Sequence, residues 1–383
     1  MKRLLHFFPT ISHLGGVETI LRLHCEKDAA FGWESKVLIG CESDETCRRF
    51  GAVGLGVRGW RNTADLRRGF SRFYHEFQPD ALVIHNLWAG RHLLPLASRS
   101  MNVGFIHTAS EESWIALANC RDYLDMIIGI SPQIAQQAQQ MVSENVEVTT
   151  TFCPISPPPP PTRSRQSGTP FVIGYCGRVV VEQKRCDRLA DIMEQALKSS
   201  ADVRFEVMGD GPYGETLQQR FGANPKVALL GRKSGSDYWN RLQSWDAIIS
   251  TSDYEGTPIG LLEALSQGVV PVYPRINSGG DTYAEEIDPN LLYEKEDVAG
   301  AVKKLILLSQ SDEAKLAPLR ATAITLTLKN RPEKYLESFF ASIDAGLAAS
   351  HHHERSVTAT KSTSWRDHVP FYFVRKFMPR WVY

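Results

Sequence analysis

The chain has 383 residues, 43% of them hydrophobic, enough for sizeable cores and, at roughly 100–200 residues per domain, for two domains. Lys+Arg and Asp+Glu both number 43, and the zero net charge excludes a whole-protein nucleic-acid footprint. Seven scattered cysteines with no C-x-x-C pair exclude a disulfide framework and a zinc site, and fit a reducing cytoplasm. The apolar run at the start is too short for a signal peptide, and no segment approaches the ~18 apolar residues that span a bilayer.

In chain order, "RLLHFF" reads as a first strand, followed by Gly15-Gly16 and the helical "VETILRLHCEKDAAFG". "SKVLIG" is a second strand. "PDALVIHN", "NVGFIHT" and "MIIGIS" are short apolar runs, the pattern of parallel strands buried on both faces. "RRGFSRFYHEF" and "SPQIAQQAQQMVSE" are helical segments between them. Alternating β and α predicts a doubly wound α/β domain over residues 1–152.

The texture changes over residues 153–169, where the run Pro157 to Pro161 predicts an extended, semi-rigid interdomain linker. The alternation then restarts over residues 170–345. "FVIGYCG", "VRFEVMG", "KVALLG", "AIIS" and "VVPVYP" are strands, with "CDRLADIMEQALKSS", "GETLQQRFG", "SDYWNRLQS" and "PIGLLEALSQG" as helices. A last helix, "PEKYLESFFASIDAGLAAS", is expected to close this second domain, and residues 346–383 form a polar, then aromatic and basic tail.

Two G-x-G-x-x-G matches occur. Gly54, Gly56 and Gly59 lack a strand–helix setting. Gly209, Gly211 and Gly214 have one, but the next strand is followed by Arg232 and Lys233, with no acid for a ribose diol, so a tight strand-to-helix turn is favoured over dinucleotide binding.

The stretch "TSDYEGTPIGLLEALSQGVVPVYP" carries more. Thr257 suits a helix cap and Pro258 the first helical position, so a helix is expected from about Thr257. Its N-terminus, at the carboxyl edge of a parallel sheet, is an anion site, and Gly256 lets a ligand approach. Glu255 and Glu263 flank that site. They suit hydroxyls next to a phosphate, as in a sugar nucleotide, although two unrelated surface acids have the same spacing. In "GYCGRVVVEQKRCDRL", Arg178 and Lys184 suit a diphosphate and a departing nucleoside diphosphate; a solvated basic loop is the competing reading.

These motifs, in order "GGVE", "GRVVVEQKR", "GDGP", "LLG" and "YEGTPIGLLEALSQGVVPV", resemble glycosyltransferase family 4 over about residues 1–345. Many relatives carry Gly where Arg185 stands. The resemblance implies an α/β, GT-B architecture, two Rossmann-like doubly wound domains facing each other across a cleft, and a retaining, hexosyltransferase-like enzyme that uses a nucleotide-sugar donor. It implies that Arg178 and Lys184 hold the donor diphosphate, Glu255 the sugar hydroxyls and Glu263 the ribose diol. The backbone around Gly256, Pro258 and Ile259 meets the phosphates, Gly16 approaches the diphosphate from the other domain, and the turn at Gly231–Arg232 lies near the base. His107 in "GFIHTASEE" matches the family's N-terminal histidine and would bond the transferred sugar; His85 in "VIHNLW" would face the acceptor. A strand-end histidine also serves as a satisfied structural one.

No cofactor and no obligatory metal are expected. The partners are a nucleotide sugar and a glycan or lipid-linked acceptor in cell-surface polysaccharide synthesis, with no nucleic acid. The expected place is the cytoplasm, peripheral on the inner face of the membrane. Residues 365–383 interleave seven aromatics with Arg366, Arg375, Lys376 and Arg380. Docking on an anionic membrane and packing back on the N-terminal domain both fit, and Pro370 and Pro379 argue against one long amphipathic helix. A GT-B-fold nucleotide-sugar epimerase and a non-catalytic GT-B-fold partner subunit are the alternatives. The set Arg178, Lys184, Glu255 and Glu263 speaks against the second.

Overall fold

The computed structural model describes residues 1–11, 16–57, 62–155, 159 and 168–349. Gly59, most of the Pro-rich segment and the whole aromatic–basic tail lie outside the described residues. The described chain divides into two units, Met1–Phe152 with residues 333–349, and Cys153–Pro332.

The first unit has strands β1 (Lys2–Phe8), β2 (Trp33–Ile39), β3 (Val53–Gly54), β4 (Ala81–His85), β5 (Met101–Ile106), β6 (Met126–Gly129) and β7 (Glu147–Thr150). Its helices are α1 (Gly16–Lys27), α2 (Asp44–Phe50), α3 (Thr63–Phe77), α4 (Gly90–Leu93), α5 (Glu111–Cys120) and α6 (Pro132–Gln139). The strands pair in parallel in the order β3-β2-β1-β4-β5-β6-β7. Every residue of β4, β5 and β6 is buried, which is why these strands are continuous apolar runs rather than alternating ones. Helix α3 opens earlier than its apolar pattern suggests, because Asn62 and Asp65 form a reciprocal capping box.

The second unit has β8 (Phe171–Cys176), α7 (Cys186–Leu197), β9 (Val203–Met208), α8 (Gly214–Phe221), β10 (Val227–Gly231), α9 (Gly235–Ser244), β11 (Ala247–Ile249), α10 (Ile259–Ser266), β12 (Val270–Arg275), α11 (Gly279–Ile287), β13 (Leu292–Glu294), α12 (Val298–Ser309) and α13 (Glu313–Leu326). Its parallel sheet runs β10-β9-β8-β11-β12-β13. Both sheets are doubly wound α/β layers, and in each the strand order reverses beside the first strand. The crevices at the carboxyl ends of β1/β4 and β8/β11 are thus the ligand positions of this topology.

One expectation is corrected. Helix α14 (Pro332–Ala349) does not close the second unit; it packs in the first. Tyr335, Leu336, Phe339, Phe340 and Ile343 form its buried stripe. Phe340 stacks on Phe31 and Trp33 at 5.3 and 5.6 Å between centroids, and Phe339 lies 6.1 Å from Phe105 of β5. A methyl added at Gly346 would sit 2.6 Å from Met126 of β6. Burial of each such aromatic side chain is worth about 1.5–3 kcal/mol, and the first unit supplies the matching apolar face. Among the described residues no helix is long and apolar enough to cross a membrane.

Candidate active site

The switch point of the second sheet is built from two loops, one after β8 and one after β11. The first begins at Gly177 and leads to Arg185. Tyr175 donates its hydroxyl to the Arg178 carbonyl at 2.8 Å, and the Val179 amide donates to the Asp210 carbonyl at 2.7 Å. The "GDGP" turn buttresses this loop from behind. Gly209 has φ +147° and lies so close that a Cβ there would meet the Gly177 carbonyl oxygen at 1.8 Å. Its glycines serve close backbone approach between two loops, in line with the tight-turn reading.

Lys184 and Glu255 meet across the two loops, Nζ to Oε1 at 2.5 Å, with the ammonium 15% and the carboxylate 7% exposed. The Ser252 hydroxyl donates to the same carboxylate at 2.7 Å. Gln183 completes the group. Its side-chain carbonyl accepts from the exposed Arg178 guanidinium at 2.5 Å, and its amide nitrogen donates to the Tyr254 carbonyl at 3.2 Å and to Glu255 at 3.4 Å. Lys184, Ser252, Pro258, Leu261, Tyr175 and Cys176 line a cavity of about 20 Å³ beneath it, room for about one water.

Asp253 fixes the second loop. It accepts from Arg185 Nη1 and from Arg188 Nη2, both at 3.1 Å, and lies 3.5 Å from Lys295. Burial pushes its carboxyl up, but Arg185 and Arg188 outweigh that and hold it below the ordinary range. Arg185 stands at φ +51°, ψ +51°, the left-handed region, at a cost of roughly 1–2 kcal/mol for a side-chain-bearing residue. Its bonds to Asp187 and Asp253 offset that cost.

Helix α10 starts at Ile259, one residue later than the expected first helical position, with Pro258 as its N-cap. Pro258 has ψ 121°, so it is extended and not the first helical residue. Thr257 is not the cap. It is buried against the start of α11, where its hydroxyl would lie 1.9 Å from a Cβ at Gly279, and the Gly279 amide bonds the Gly256 carbonyl at 2.8 Å. Pro258 makes no side-chain cap bond, and the positive end of the helix lies beside Lys184 and Glu255.

Glu263 lies further along α10 and accepts from the Tyr238 hydroxyl of α9, so the two glutamates have separate partners and do not form an acid/base pair. Burial pushes the Glu263 carboxyl up to about 7, against the Tyr238 bond, which pulls it down. The protonated form therefore favours the fold. Its contribution is fully present below the ordinary glutamate value of 4.5 and is lost as pH rises toward 7. Glu263→Gln is expected to flatten that segment of the stability profile. Urea midpoints between pH 4.5 and 8 test this, and parallel profiles would contradict it.

The remaining expected site residues fall as follows. Gly231 ends β10 at φ +64°, and Arg232 pairs with Asp210 at 3.6 Å, both exposed. Gly16 is the exposed first residue of α1; the rest of its loop lies outside the described residues. His107 follows β5 and is 8% exposed. His85 is fully buried and bonded through both ring nitrogens, to His6 at 3.0 Å and His107 at 2.8 Å. It presents no surface to an acceptor and lies behind His107, a correction to its expected place. Gln183 and Asp253 were not singled out from the sequence. The one available signal was Arg185, where relatives' glycine marks a left-handed backbone position.

Residues 170–311 match the family model described as Glycosyl transferases group 1. The chain is 23% identical over 283 residues to "Lipopolysaccharide 1,6-galactosyltransferase" of Salmonella typhimurium, covering 68% of this chain and 76% of that one. The Escherichia coli K12 protein of the same description is also 23% identical, covering 77% and 86%. Among solved structures, the apo form of the lipopolysaccharide outer core galactosyltransferase WaaB aligns with TM-score 0.68 at 19% identity over 90% of this chain and 99% of that one. Anabaena HepE in complex with UDP aligns with TM-score 0.66 at 16% identity over 90% and 100%. The two parallel sheets are those of the GT-B fold. The chain is an enzyme of the glycosyltransferase class.

Proposed function

We propose that this enzyme transfers a sugar, with retention of configuration, from a nucleotide-sugar donor to a glycan or glycolipid acceptor in cell-surface polysaccharide synthesis. The observation that carries the donor reading is the N-terminus of α10 beside the buried Lys184–Glu255 pair at the β8/β11 switch point. The polysaccharide reading draws on the galactosyltransferase relatives, and the donor class on neighbours solved with UDP and UDP-glucose.

In this reading the donor diphosphate takes Lys184, Arg178 and the amides at Ile259, while the backbone at Gly256 and Pro258 leaves it room. Lys184 turns to the phosphate, and Glu255 is freed to accept from the sugar hydroxyls. Glu263 accepts from the ribose diol, and Gly231–Arg232 lies toward the base. Gly16 approaches the phosphates and His107 a sugar hydroxyl. The anomeric C–O bond to phosphate breaks, the acceptor oxygen bonds the same carbon on the same face, and its proton passes to the departing phosphate oxygen. Two side-chain cations and a helix end stabilise the leaving charge, so no obligatory metal is proposed. The enzyme works in the cytoplasm at the membrane's inner face, where a lipid-linked acceptor resides.

A panel of UDP-sugars with lipid-linked oligosaccharide acceptors tests this. Retained anomeric configuration in the product by NMR, with activity intact in EDTA, is expected. Turnover of the donor without an acceptor would overturn it in favour of epimerisation.

A further inference from the structure

Four histidines and one aspartate of the first unit lie together, all but His107 sealed from water. His6, His24 and His85 are fully buried and Asp28 is 1% exposed. His6, His85 and His107 follow from the sheet itself. In the β1–β4 register His6 pairs with Val83, two residues before His85; in the β4–β5 register His85 pairs with Phe105, two residues before His107. Steps of two keep all three side chains on one face. They form a diagonal across three adjacent strands, from the sheet interior to its carboxyl edge. His6 Nδ1 lies 3.0 Å from His85 Nε2, and His85 Nδ1 lies 2.8 Å from His107 Nε2.

Burial, with the neighbouring histidines adding to it, lowers the His6 pKa to about 4 and His107 to about 3, and pushes His85 well below its ordinary value, so all three are neutral. A neutral imidazole has one N–H and one lone pair. Two successive imidazole–imidazole bonds therefore leave only two arrangements: every N–H points toward the interior, or every N–H points toward the edge. The inner end decides. His24 Nδ1 donates to Asp28, at 2.8 Å to Oδ1 and 3.1 Å to Oδ2, and its Nε2 meets the Tyr335 hydroxyl at 2.8 Å. Asp28 Oδ2 also faces His6 Nε2 at 3.8 Å, and that nitrogen has no hydrogen-bond partner. This is too long for a hydrogen bond, but a carboxylate in a dry interior strongly favours an N–H over a lone pair aimed at it.

We propose that Asp28 sets the tautomer of His107 through His6 and His85, so that His107 carries its proton on Nε2 and presents the Nδ1 lone pair. His6, His85 and Asp28 are positioning residues. Resting on the reading that His107 meets a substrate hydroxyl, the consequence is that His107 accepts a hydrogen bond from that hydroxyl and does not donate one.

The test is 15N NMR of the full chain labelled at histidine, without substrate, with resonances assigned through His107→Gln and His85→Gln. A lone-pair-bearing Nδ1 and protonated Nε2 are expected for both His85 and His107. In Asp28→Asn the amide keeps its oxygen for His24 and turns its NH₂ to His6, so both histidines should reverse. Transfer activity should fall roughly tenfold, because the substrate hydroxyl must then accept from His107 Nδ1–H instead of donating to it. A wild-type His107 protonated on Nδ1, unchanged tautomers in Asp28→Asn, or one metal ion per chain bound at His6, His24 and Asp28 by elemental analysis would each overturn the proposal. Should Asp28→Asn not fold, the wild-type spectrum decides. The tautomers are read without turnover, so they stand or fall separately from the glycosyl-transfer reading.

Discussion

Lys184→Met is expected to abolish donor binding and to cost the fold about 3–5 kcal/mol, the usual effect of removing one partner of a buried ion pair. With Glu255 only 7% exposed, solvent screens little of the loss. The carboxylate would keep only Ser252 and the weaker Gln183 contact. The two effects separate in the double variant Lys184→Met/Glu255→Gln. There the buried charge is gone, so urea denaturation should return most of the stability. Donor binding, followed by calorimetric titration with UDP-sugars, should not return, because the cation that meets the phosphates is still missing. Wild-type affinity in the double variant would remove Lys184 from the donor site and leave the pair a structural one.

The sequence revealed the middle of each sheet well, for a physical reason. β4, β5, β6, β8 and β12 are buried enough to be written as apolar runs. Three of the four edge strands, β3, β7 and β13, span two to four residues and show no period. The start of α10 misled because Thr257 and Pro258 fit the capping rules locally, while packing against Gly279 decides the backbone there. Glu255, Lys184 and Arg178 were visible as charged residues at a helix start and after a first strand. Asp253 was not, since its cationic neighbours Arg185, Arg188 and Lys295 are spread over more than a hundred positions. The histidine chain was hidden in the same way. "LLHFF", "VIHN" and "FIHT" each show one histidine in an apolar run, and only strand order and register bring the three side chains together.

Phe339→Ala is expected to destabilise the first unit by about 3–5 kcal/mol although nearly two hundred residues separate it from β7. The ring is fully buried, 4.6 Å from His24, 6.0 Å from His6 and 6.1 Å from Phe105 between centroids. Truncation opens a cavity against imidazoles, and a polar-lined space admits water. Water there would compete for the bonds that hold the histidine chain in one arrangement. Hydrogen exchange by mass spectrometry locates the damage: peptides from β1, α1 and β5 should lose protection, while those from β8 to β12 keep it. Loss in the second unit instead would return α14 to the place its sequence position suggests. Tyr335→Phe is the control. It keeps the ring and removes the hydroxyl at His24 Nε2, a buried hydrogen bond whose loss costs about 1–3 kcal/mol. A large loss in Phe339→Ala beside a smaller one in Tyr335→Phe would show that the helix holds the first unit mainly by filling space over the histidines.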